Sequence, residues 1–443
     1  MQVSLQINAR WIIPVDQNNN VLENHALIVQ DDKIIDILPQ SEANKYSPVE
    51  LIDLNDHALA PGFINAHSHA AMSLMKGLAD DIRLDEWLKE HIWPAEMALA
   101  DDAFVKEGSE LAVAEMIKGG TTCFNDMYFF IDQTALVARQ AGIRVNIGIP
   151  IIDFPTRWAN TLEEYISKGL AVRDRFNNDP LINFSFAPHA PYTVSDASLQ
   201  RIQPLMDELG LSMHMHLHET LNEVEQSFSE HHLRPLARLD KLDLLGPELI
   251  AVHMTELNQT EIQQLAEHGV HIVHCPESNL KLASGFCPVA DLLATGVNVA
   301  LGTDGSASNN DLDMLGEMRT AVLAKGVAKK ADALPAYQAL RMATINGAKA
   351  LGLADKIGSL EIGKQADLFA INLNAIETQP VYDVISTLVY AANRSQISDV
   401  WVAGKAVMSH HQLNHINEAQ LLKKLHTWRE KIAPFHHQSY KAV

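Results

Sequence analysis

Three histidines and an acid are crowded into one short segment of the sequence, "MHMHLHET". In an extended strand, alternate side chains point to the same face and lie about 6.6 to 6.8 Å apart. A regular strand would therefore align His214, His216 and His218, and one small ion could not easily be reached by all three. His67 and His69 have the same alternate spacing in "HSH", and two such imidazoles can bind one zinc ion at about 2.0 to 2.1 Å. Because isolated histidine pairs are more often structural, the interpretation depends on the remaining ligands.

Strand-like and helix-like segments alternate roughly from Ala60 to Leu353. Eight short apolar runs each end in a polar cluster: "ALAPGFINAHSH", "TTCFNDM", "RVNIGIPII", "INFSFAPHA", "LSMHMHLHE", "LIAVHMTE", "VHIVHCPES" and "VNVALGTDG". Each is followed by a segment long enough for a helix, such as "SDASLQRIQPLMDELG", which begins at a Ser or Asp cap and ends at Gly. Eight such units in one direction predict an α/β protein with a (β/α)8 TIM barrel.

Metal-binding residue types occur where several of these predicted strands end. They follow the first, fifth, sixth and eighth strands, as His67, His69, His216, Glu219, His253 and Asp304. In a barrel of this kind the carboxyl ends of the strands converge on one mouth, where active sites lie. Chance would not place all of these residues at strand ends, so the sequence predicts a shared metal site there.

The two ends of the chain differ from the barrel segments. Alternating apolar pieces such as "ALIVQDDKIIDILP" near the start and "DVWVAGKAVM" near the end are bounded by turn residues. We predict that residues 1–58, together with residues 356–443, form one small β-sandwich domain, followed by a C-terminal helix over "NEAQLLKKLHTWREKIA". Residues 59–355 would then be the metal-dependent catalytic barrel.

The composition restricts the partners and the compartment. The chain has 55 Asp and Glu against 34 Lys and Arg, a formal net charge of -21, which repels phosphate backbones and anionic membranes. We therefore expect no nucleic-acid partner and no membrane association. The sequence has neither a signal-peptide pattern at its start nor about 18 consecutive uncharged apolar residues. Cys123, Cys275 and Cys287 are widely spaced, which argues against a disulfide framework, and we expect a cytoplasmic protein.

A family resemblance runs along nearly the whole chain. The blocks "PGFINAHSH", "HLHE", "VHMTE", "HCPESNLKLASG" and "LGTDGSASNNDLDM", in this order, resemble the amidohydrolase superfamily. Within it, "MKGLADDIRLDEWLKEHIWPAE" and the blocks that follow are similar to the methylthioadenosine/S-adenosylhomocysteine deaminases. Triazine chlorohydrolases share much of the same pattern, so the superfamily match is the more specific one.

The resemblance implies a metal site and its ligands. His67, His69, His216 and Asp304 are expected to bind one divalent metal ion, in the first place zinc. Relatives with two ions commonly bridge them with a carboxylated lysine after strand four, whereas this chain has His189 there and no lysine, which favours a single ion. Zinc lowers the pKa of a bound water toward about 7, which supplies hydroxide at neutral pH.

The resemblance also implies roles for the other residues at the mouth. Glu219 would accept the water's proton and pass it to the ring nitrogen beside the attacked carbon, and Asp304 would hydrogen-bond to the attacking water. His253 would orient the hydroxide or stabilise the tetrahedral centre. Glu96 and His189 would contact the substrate together with Glu219 and Asp304, with Glu96 accepting hydrogen bonds from a ribose diol.

These expectations lead to a hydrolytic deaminase that converts the adenine of 5'-methylthioadenosine, S-adenosylhomocysteine or adenosine to hypoxanthine and ammonia. A homo-oligomer is expected from the resemblance. Arg157 could meet a substrate carboxylate, although a surface arginine explains it equally well. One alternative keeps the metal site but acts on a triazine or a free base, for which Glu96 would have no ribose to hold. A second alternative is a metal-free binding protein, which would be expected to have lost ligands that this chain retains.

Overall fold

The computed structural model describes residues 1–323 and 325–436 of the chain. The strands of the N-terminal segment are β1 (Gln2–Ile12), β2 (Leu22–Gln30), β3 (Lys33–Pro39) and β4 (Ser47–Pro61). Eight further strands are β5 (Phe63–Ser68), β6 (Thr121–Met127), β7 (Arg144–Ile151), β8 (Ile182–Pro188), β9 (Met213–Leu217), β10 (Leu249–His253), β11 (His271–His274) and β12 (Asn298–Leu301). The last strands are β13 (Leu368–Asn372), β14 (Ile397–Val402), β15 (Lys405–Ser409) and β16 (Gln412–Leu413).

The helices follow and surround these strands. They are α1 (Leu84–Glu86), α2 (Trp93–Leu99), α3 (Asp102–Lys118), α4 (Ile131–Ala141), α5 (Leu162–Phe176), α6 (Asp196–Leu209), α7 (Leu221–His231), α8 (Pro235–Lys241), α9 (Gln259–His268), α10 (Pro276–Lys281), α11 (Val289–Ala294), α12 (Met314–Leu323), α13 (Lys325–Ala328), α14 (Ala336–Met342), α15 (Ile345–Ala350), α16 (Val384–Tyr390) and α17 (Glu418–Ile432). A π-helical turn, Trp87–Ile92, joins α1 to α2. No helix within the described residues is long and apolar enough to cross a bilayer.

The strands β5 to β12 pair in sequential order and in parallel, which confirms the predicted barrel of eight strand-helix units. The barrel closes between its first and last strands, where Asp304 N donates to the His67 carbonyl at 3.1 Å. Asn65 and Thr303 exchange two further hydrogen bonds of 2.7 and 3.0 Å across this seam. A Cβ on Gly302 would lie 2.7 Å from His67 N, so the close approach of the two strands requires glycine there.

The other strands form a second sheet from both ends of the chain, in the order β16-β15-β14-β13-β4-β1-β2-β3. All neighbours in it are antiparallel except β1 and β4. Alternate residues of β2 pack into different apolar clusters, Leu27 into one and Ile28 into the other, so both faces of this continuous sheet are covered. The predicted contribution of both termini to a separate β-structure is therefore confirmed, as one continuous sheet.

The barrel and the terminal sheet are joined both by the chain between β4 and β5 and by a buried ion pair. The strand β4 pairs with β13 as far as Pro61, and only Gly62 separates it from β5, so the barrel strand begins at Phe63 rather than at Ala60. Arg144, at the start of β7, forms a buried two-point ion pair with Asp367, with both N–O distances 3.1 Å. The end of β4 thus fixes the start of the strand that carries the first histidine pair.

Local sequence signals explain the helix boundaries. At α6 the Ser195 hydroxyl accepts a hydrogen bond from Ser198 N, and Gly210 ends the helix with φ +62°, as the cap pattern predicts. The predicted terminal helix is α17, and its Trp428 indole donates to Glu107 of α3 at 2.6 Å. Residues 437–443, which the predicted domain range includes, lie outside the described residues.

Candidate metal and active site

Four ligand atoms from three barrel strands meet at the mouth of the barrel. The Nε2 atoms of His67, His69 and His216 and the Oδ1 atom of Asp304 all lie within 4.8 Å of one another. The closest pairs are 3.2 to 3.3 Å apart. Ligand atoms at about 2.0 to 2.1 Å from a tetrahedral ion lie about 3.3 Å apart, so this donor set fits a zinc-sized ion. The structure therefore brings the predicted ligands together.

Backbone carbonyls orient two of the three imidazoles. His69 Nδ1–H donates to the Met127 carbonyl and His216 Nδ1–H donates to the His189 carbonyl, both at 2.6 Å. A ring that carries its proton on Nδ1 presents a lone pair at Nε2, which is the atom that faces the ligand cluster. These contacts fix the tautomers in the form that binds metal.

The third imidazole is oriented by another histidine. His67 Nδ1 lies 2.9 Å from His214 Nε2, and both rings are buried. With His67 as donor, its Nε2 is left for the metal, and the His214 proton lies on Nδ1, which has no hydrogen-bond partner within the described chain. His214 is thus buried and hydrogen-bonded, and it supports a predicted ligand.

His218, the third histidine of the segment, points away from the cluster. Its Nδ1–H donates to the Glu256 carbonyl and its Nε2 accepts from Leu236 N, both at 3.0 Å. A left-handed backbone at His218, φ +52°, ends the strand geometry and turns this ring from the face shared by the other two. His218 is thus not one of the residues that could hold the ion.

Two hydroxyl groups hold the carboxylate of Asp304. Its Oδ2 accepts hydrogen bonds from Ser278 at 2.6 Å and Ser308 at 2.8 Å, which leaves Oδ1 facing the histidines. Burial would raise the pKa of this carboxyl, but the close imidazoles of His67 and His69 hold it well below its usual value. The group is therefore an anion, as a metal ligand must be.

Glu219 lies beside the cluster, after the end of β9. It is 6% exposed, and its Oε1 accepts from the Ser284 hydroxyl at 3.3 Å. Burial, and then the charge of Asp304, raise the pKa of Glu219 to about 8. A carboxyl group poised near neutral pH can both accept and return a proton, and a bound cation would lower this pKa.

His253 ends β10 and faces Glu219. Its Nε2 lies 3.8 Å from Glu219 Oε2, and its ring is stacked on that of His216 at 5.4 Å. Asn279 Nδ2 donates to His253 Nδ1 at 3.0 Å, which places the ring proton on Nε2, on the side of the site. Burial lowers the pKa of His253 to about 4, so the ring is a neutral hydrogen-bond donor.

Sequence reasoning missed three of these supporting residues. The residues that orient Asp304 and His253 are Ser278, Asn279 and Ser308. All three lie in the quoted blocks "HCPESNLKLASG" and "LGTDGSASNNDLDM", but the sequence alone did not assign a function to any of them. Their position in the segments that follow the seventh and eighth strands was the available signal, because side chains there reach the mouth of the barrel.

A cavity opens over the cluster. Its walls combine the site residues with apolar and aromatic side chains of α1, α2 and the strand-end loops, including Leu84, Trp87, Leu88, Trp93, Met97, Phe129, Phe130 and Phe154. Glu96 and His189, the two predicted substrate contacts, both line it. Burial raises the pKa of Glu96 to about 7, against the opposing effect of the nearby Tyr128 hydroxyl. Burial lowers the pKa of His189 to about 3, and its Nδ1 contacts the Thr193 hydroxyl at 2.9 Å.

Arg157 also lines the cavity but is already engaged. Its guanidinium donates to the Ala98 carbonyl near the end of α2 and lies 4.0 Å from Asp101. The side chain thereby ties the loop after β7 to the helix that carries Glu96.

Comparison with known proteins agrees with this geometry. Residues 58–407 match the amidohydrolase family. A 5-methylthioadenosine/S-adenosylhomocysteine deaminase of Teredinibacter turnerae is 49% identical over 432 residues, which cover 97% of this chain and 98% of that protein. The crystal structure of an adenosine deaminase from Xanthomonas campestris with bound zinc is 49% identical, with a TM-score of 0.97, covering 98% of this chain and 99% of that one.

A triazine hydrolase from Arthrobacter aurescens has a similar fold at lower identity. Its TM-score is 0.90 at 21% identity, over 96% of this chain and 99% of that chain, and this likeness shows the fold alone. The family match, by contrast, spans all eight barrel strands together with β13 and β14 of the terminal sheet, and it agrees with the ligand cluster at the barrel mouth. The chain belongs to the amidohydrolase family.

Proposed function

We propose that the protein is a metal-dependent hydrolytic deaminase acting on the adenine of 5'-methylthioadenosine, S-adenosylhomocysteine or adenosine, with the hypoxanthine nucleoside and ammonia as products. The observation that carries this proposal is the four-atom ligand cluster with the buried Glu219 beside it. The deaminase names of the relatives that share 49% identity over nearly the whole chain support it.

One divalent ion, in the first place zinc, would be held by His67, His69, His216 and Asp304. When bound, zinc lowers the pKa of a water molecule toward about 7 and so supplies a nucleophile at neutral pH. Such an ion requires neutral imidazoles and an anionic carboxylate. Burial lowers the pKa of His69, but its contact with Asp304 outweighs this and raises the pKa to about 9, so metal binding would release a proton from this ring.

The chain's own residues would move the protons. Glu219 accepts one proton from the attacking water and delivers it to the ring nitrogen beside the attacked carbon, while the water oxygen bonds to that carbon. His253 donates a hydrogen bond from Nε2 to the developing tetrahedral oxygen. The remaining hydroxyl proton then passes to the exocyclic amine, the C–N bond breaks, and ammonia leaves with the carbonyl in place. Asp304 accepts a hydrogen bond from the attacking water during these steps.

The nucleoside would be held by the cavity above the cluster. Glu96 would accept hydrogen bonds from the ribose diol, and His189 would contact the base, on the same face as Glu219 and Asp304. The aromatic walls would stack on or surround the 5' substituent. Because Arg157 donates to the Ala98 carbonyl near the end of α2, we assign it to holding the helix that carries Glu96 in place.

The proposal extends to the domain division, the compartment and the partners of the protein. Residues 59–355 would act as the catalytic domain, and the range formed by residues 1–58 with 356–443 would support it. Cys123, Cys275 and Cys287 are buried thiols without disulfides, which fits the cytoplasm. A homo-oligomer is proposed from the family resemblance, and the negative charge disfavours nucleic acid as a partner.

The test is a substrate panel of adenine nucleosides, free adenine and an aminotriazine, with the zinc-loaded enzyme. Ammonia release together with the loss of adenine absorbance is expected for the nucleosides alone. Turnover of the triazine but not of the nucleosides would contradict the proposal in favour of a triazine hydrolase, and turnover of free adenine with nucleosides untouched would favour a base deaminase. If the protein turned over none of these compounds and bound no metal, the result would favour the alternative of a metal-free binding protein.

A further inference from the structure

One tyrosine hydroxyl at the cavity is buried without a partner. Tyr128 directly follows β6, lines the cavity above the ligand cluster, and is only 4% exposed. Its hydroxyl oxygen is fully buried and has no hydrogen-bond partner within residues 1–323 and 325–436. A buried hydroxyl without a partner is costly, so a ligand group that paired with this atom would be favoured.

The position of this hydroxyl is fixed by its neighbours. The Tyr128 ring stacks on Phe104 with centroids 6.5 Å apart and packs against Phe129 at 5.3 Å. The preceding residue, Met127, accepts the hydrogen bond from His69 Nδ1, so the backbone here also holds a predicted metal ligand. The hydroxyl therefore has little freedom to turn toward another partner.

Glu96 is the acidic group beside Tyr128. Burial is the largest cause that raises the pKa of both groups, and the interaction between them lowers the pKa of Glu96 and raises that of Tyr128. The hydroxyl and the carboxylate are therefore close, yet they lie outside the distance and angle of an ordinary hydrogen bond. An ionised carboxylate only accepts hydrogen bonds, whereas each hydroxyl of a vicinal diol both donates and accepts. Glu96 can take the two diol protons, but the diol oxygens then still need a donor.

We propose that the Tyr128 hydroxyl donates this missing hydrogen bond and is a specificity-determining group for the ribose diol of the substrate. The inference rests on the proposed function, because it assigns a partner to one part of the nucleoside. Tyr128 and Glu96 together then offer one donor and one acceptor to the diol, and a substrate without the diol oxygen leaves Tyr128 unpaired.

The test compares Tyr128→Phe, which removes only the hydroxyl, with Tyr337→Phe as a matched control. The Tyr337 hydroxyl donates to the Asp16 carbonyl at 3.2 Å, and Tyr337 does not line the cavity. The kcat/KM values are measured for adenosine, 2'-deoxyadenosine and 3'-deoxyadenosine. Tyr128→Phe should lower kcat/KM for adenosine about tenfold, mainly through KM, as expected for one hydrogen bond. For the deoxy analogue that lacks the contacted oxygen, the variant and the wild type should be equal.

Three results would overturn the inference. The first is an equal loss on all three nucleosides, which would make Tyr128 a packing residue, and the second is no loss on any of them. The dissociation constant of inosine and the unfolding midpoint are measured in parallel, so a folding defect is separated from lost recognition. A folded Tyr128→Phe variant that binds inosine as tightly as the wild type also overturns it. If the wild-type enzyme releases no ammonia from any adenine nucleoside, the proposed function itself fails, and the inference falls with it.

Discussion

The hydrogen bond between His67 and His214 makes a quantitative prediction about metal binding. His214→Leu fills a similar volume but cannot accept the His67 Nδ1 proton, which lies 2.9 Å from His214 Nε2. Both side chains are completely buried, so no solvent replaces the lost acceptor. The metal-binding tautomer of His67 is then left with an unpaired buried donor.

The size of the effect follows from that unpaired donor. An unsatisfied buried donor costs about 1 to 3 kcal/mol, which corresponds to a factor of roughly 5 to 150 in a binding constant. Replacing the partners of metal ligands commonly weakens metal binding by about 10 to 100-fold. The expected result for His214→Leu is therefore an increase of about 30-fold in the zinc dissociation constant, the centre of this range.

The measurement is a zinc competition titration against a chelator of known affinity, with the unfolding midpoint of each protein recorded alongside. His274→Leu is the matched control, because its equally buried ring makes no hydrogen bond within the described residues. His214→Gln should recover part of the affinity, since its amide oxygen can accept the His67 proton. Zinc affinity within about threefold of wild type in a folded His214→Leu protein would refute the reasoning, because the expected loss is at least about fivefold.

Three further predictions concern catalysis, pH and stability. Glu219→Gln should retain zinc and lower kcat at least about a hundredfold, because an amide cannot accept the water's proton; retained turnover would remove Glu219 from that role. Burial raises the pKa of Glu96 to about 7, so the acceptor is present above that pH and lost below it. KM for adenosine should rise as the pH falls through about 7, and this rise should be absent in Glu96→Gln. Asp367→Ala leaves Arg144 as an unpaired buried charge and should cost about 3 to 5 kcal/mol of unfolding free energy in a denaturant titration; a loss below about 1 kcal/mol would show that the charge is otherwise compensated.

The barrel was predictable because each strand is a short apolar run followed by a capped helix. The run "VNVALGTDG" illustrates this, since β12 covers its apolar part and Asp304 follows directly in the loop. Parallel strands in a barrel bring their carboxyl ends to one mouth, so residue positions alone indicated that His67, His216 and Asp304 would meet. The alternation of "MHMHLHET" likewise indicated a strand.

The supporting contacts were not predictable, because they depend on register and on turns. Whether His214 lies beside His67 is decided by how far β9 is shifted relative to β5 across the barrel, and the sequence of either strand carries no such information. The beginning of the barrel strand at Phe63 was also hidden, since β4 and β5 read as one apolar run interrupted only by Gly62. The roles of Ser278 and Asn279 depend on the short helix α10, which buries both side chains beside Asp304 and His253.

The metal site spans the seam at which the barrel closes, with consequences for how the protein is made. His67 and Asp304 are 237 positions apart in the chain, although their ligand atoms lie 3.2 Å apart. At a synthesis rate of about 5 to 20 residues per second, the ribosome needs roughly 10 to 50 s to make the chain between them. During that interval the nascent protein displays histidines without the carboxylate that completes the set. Binding of an ion by all four ligands therefore has to wait until synthesis has passed Asp304, more than two thirds of the way along the chain.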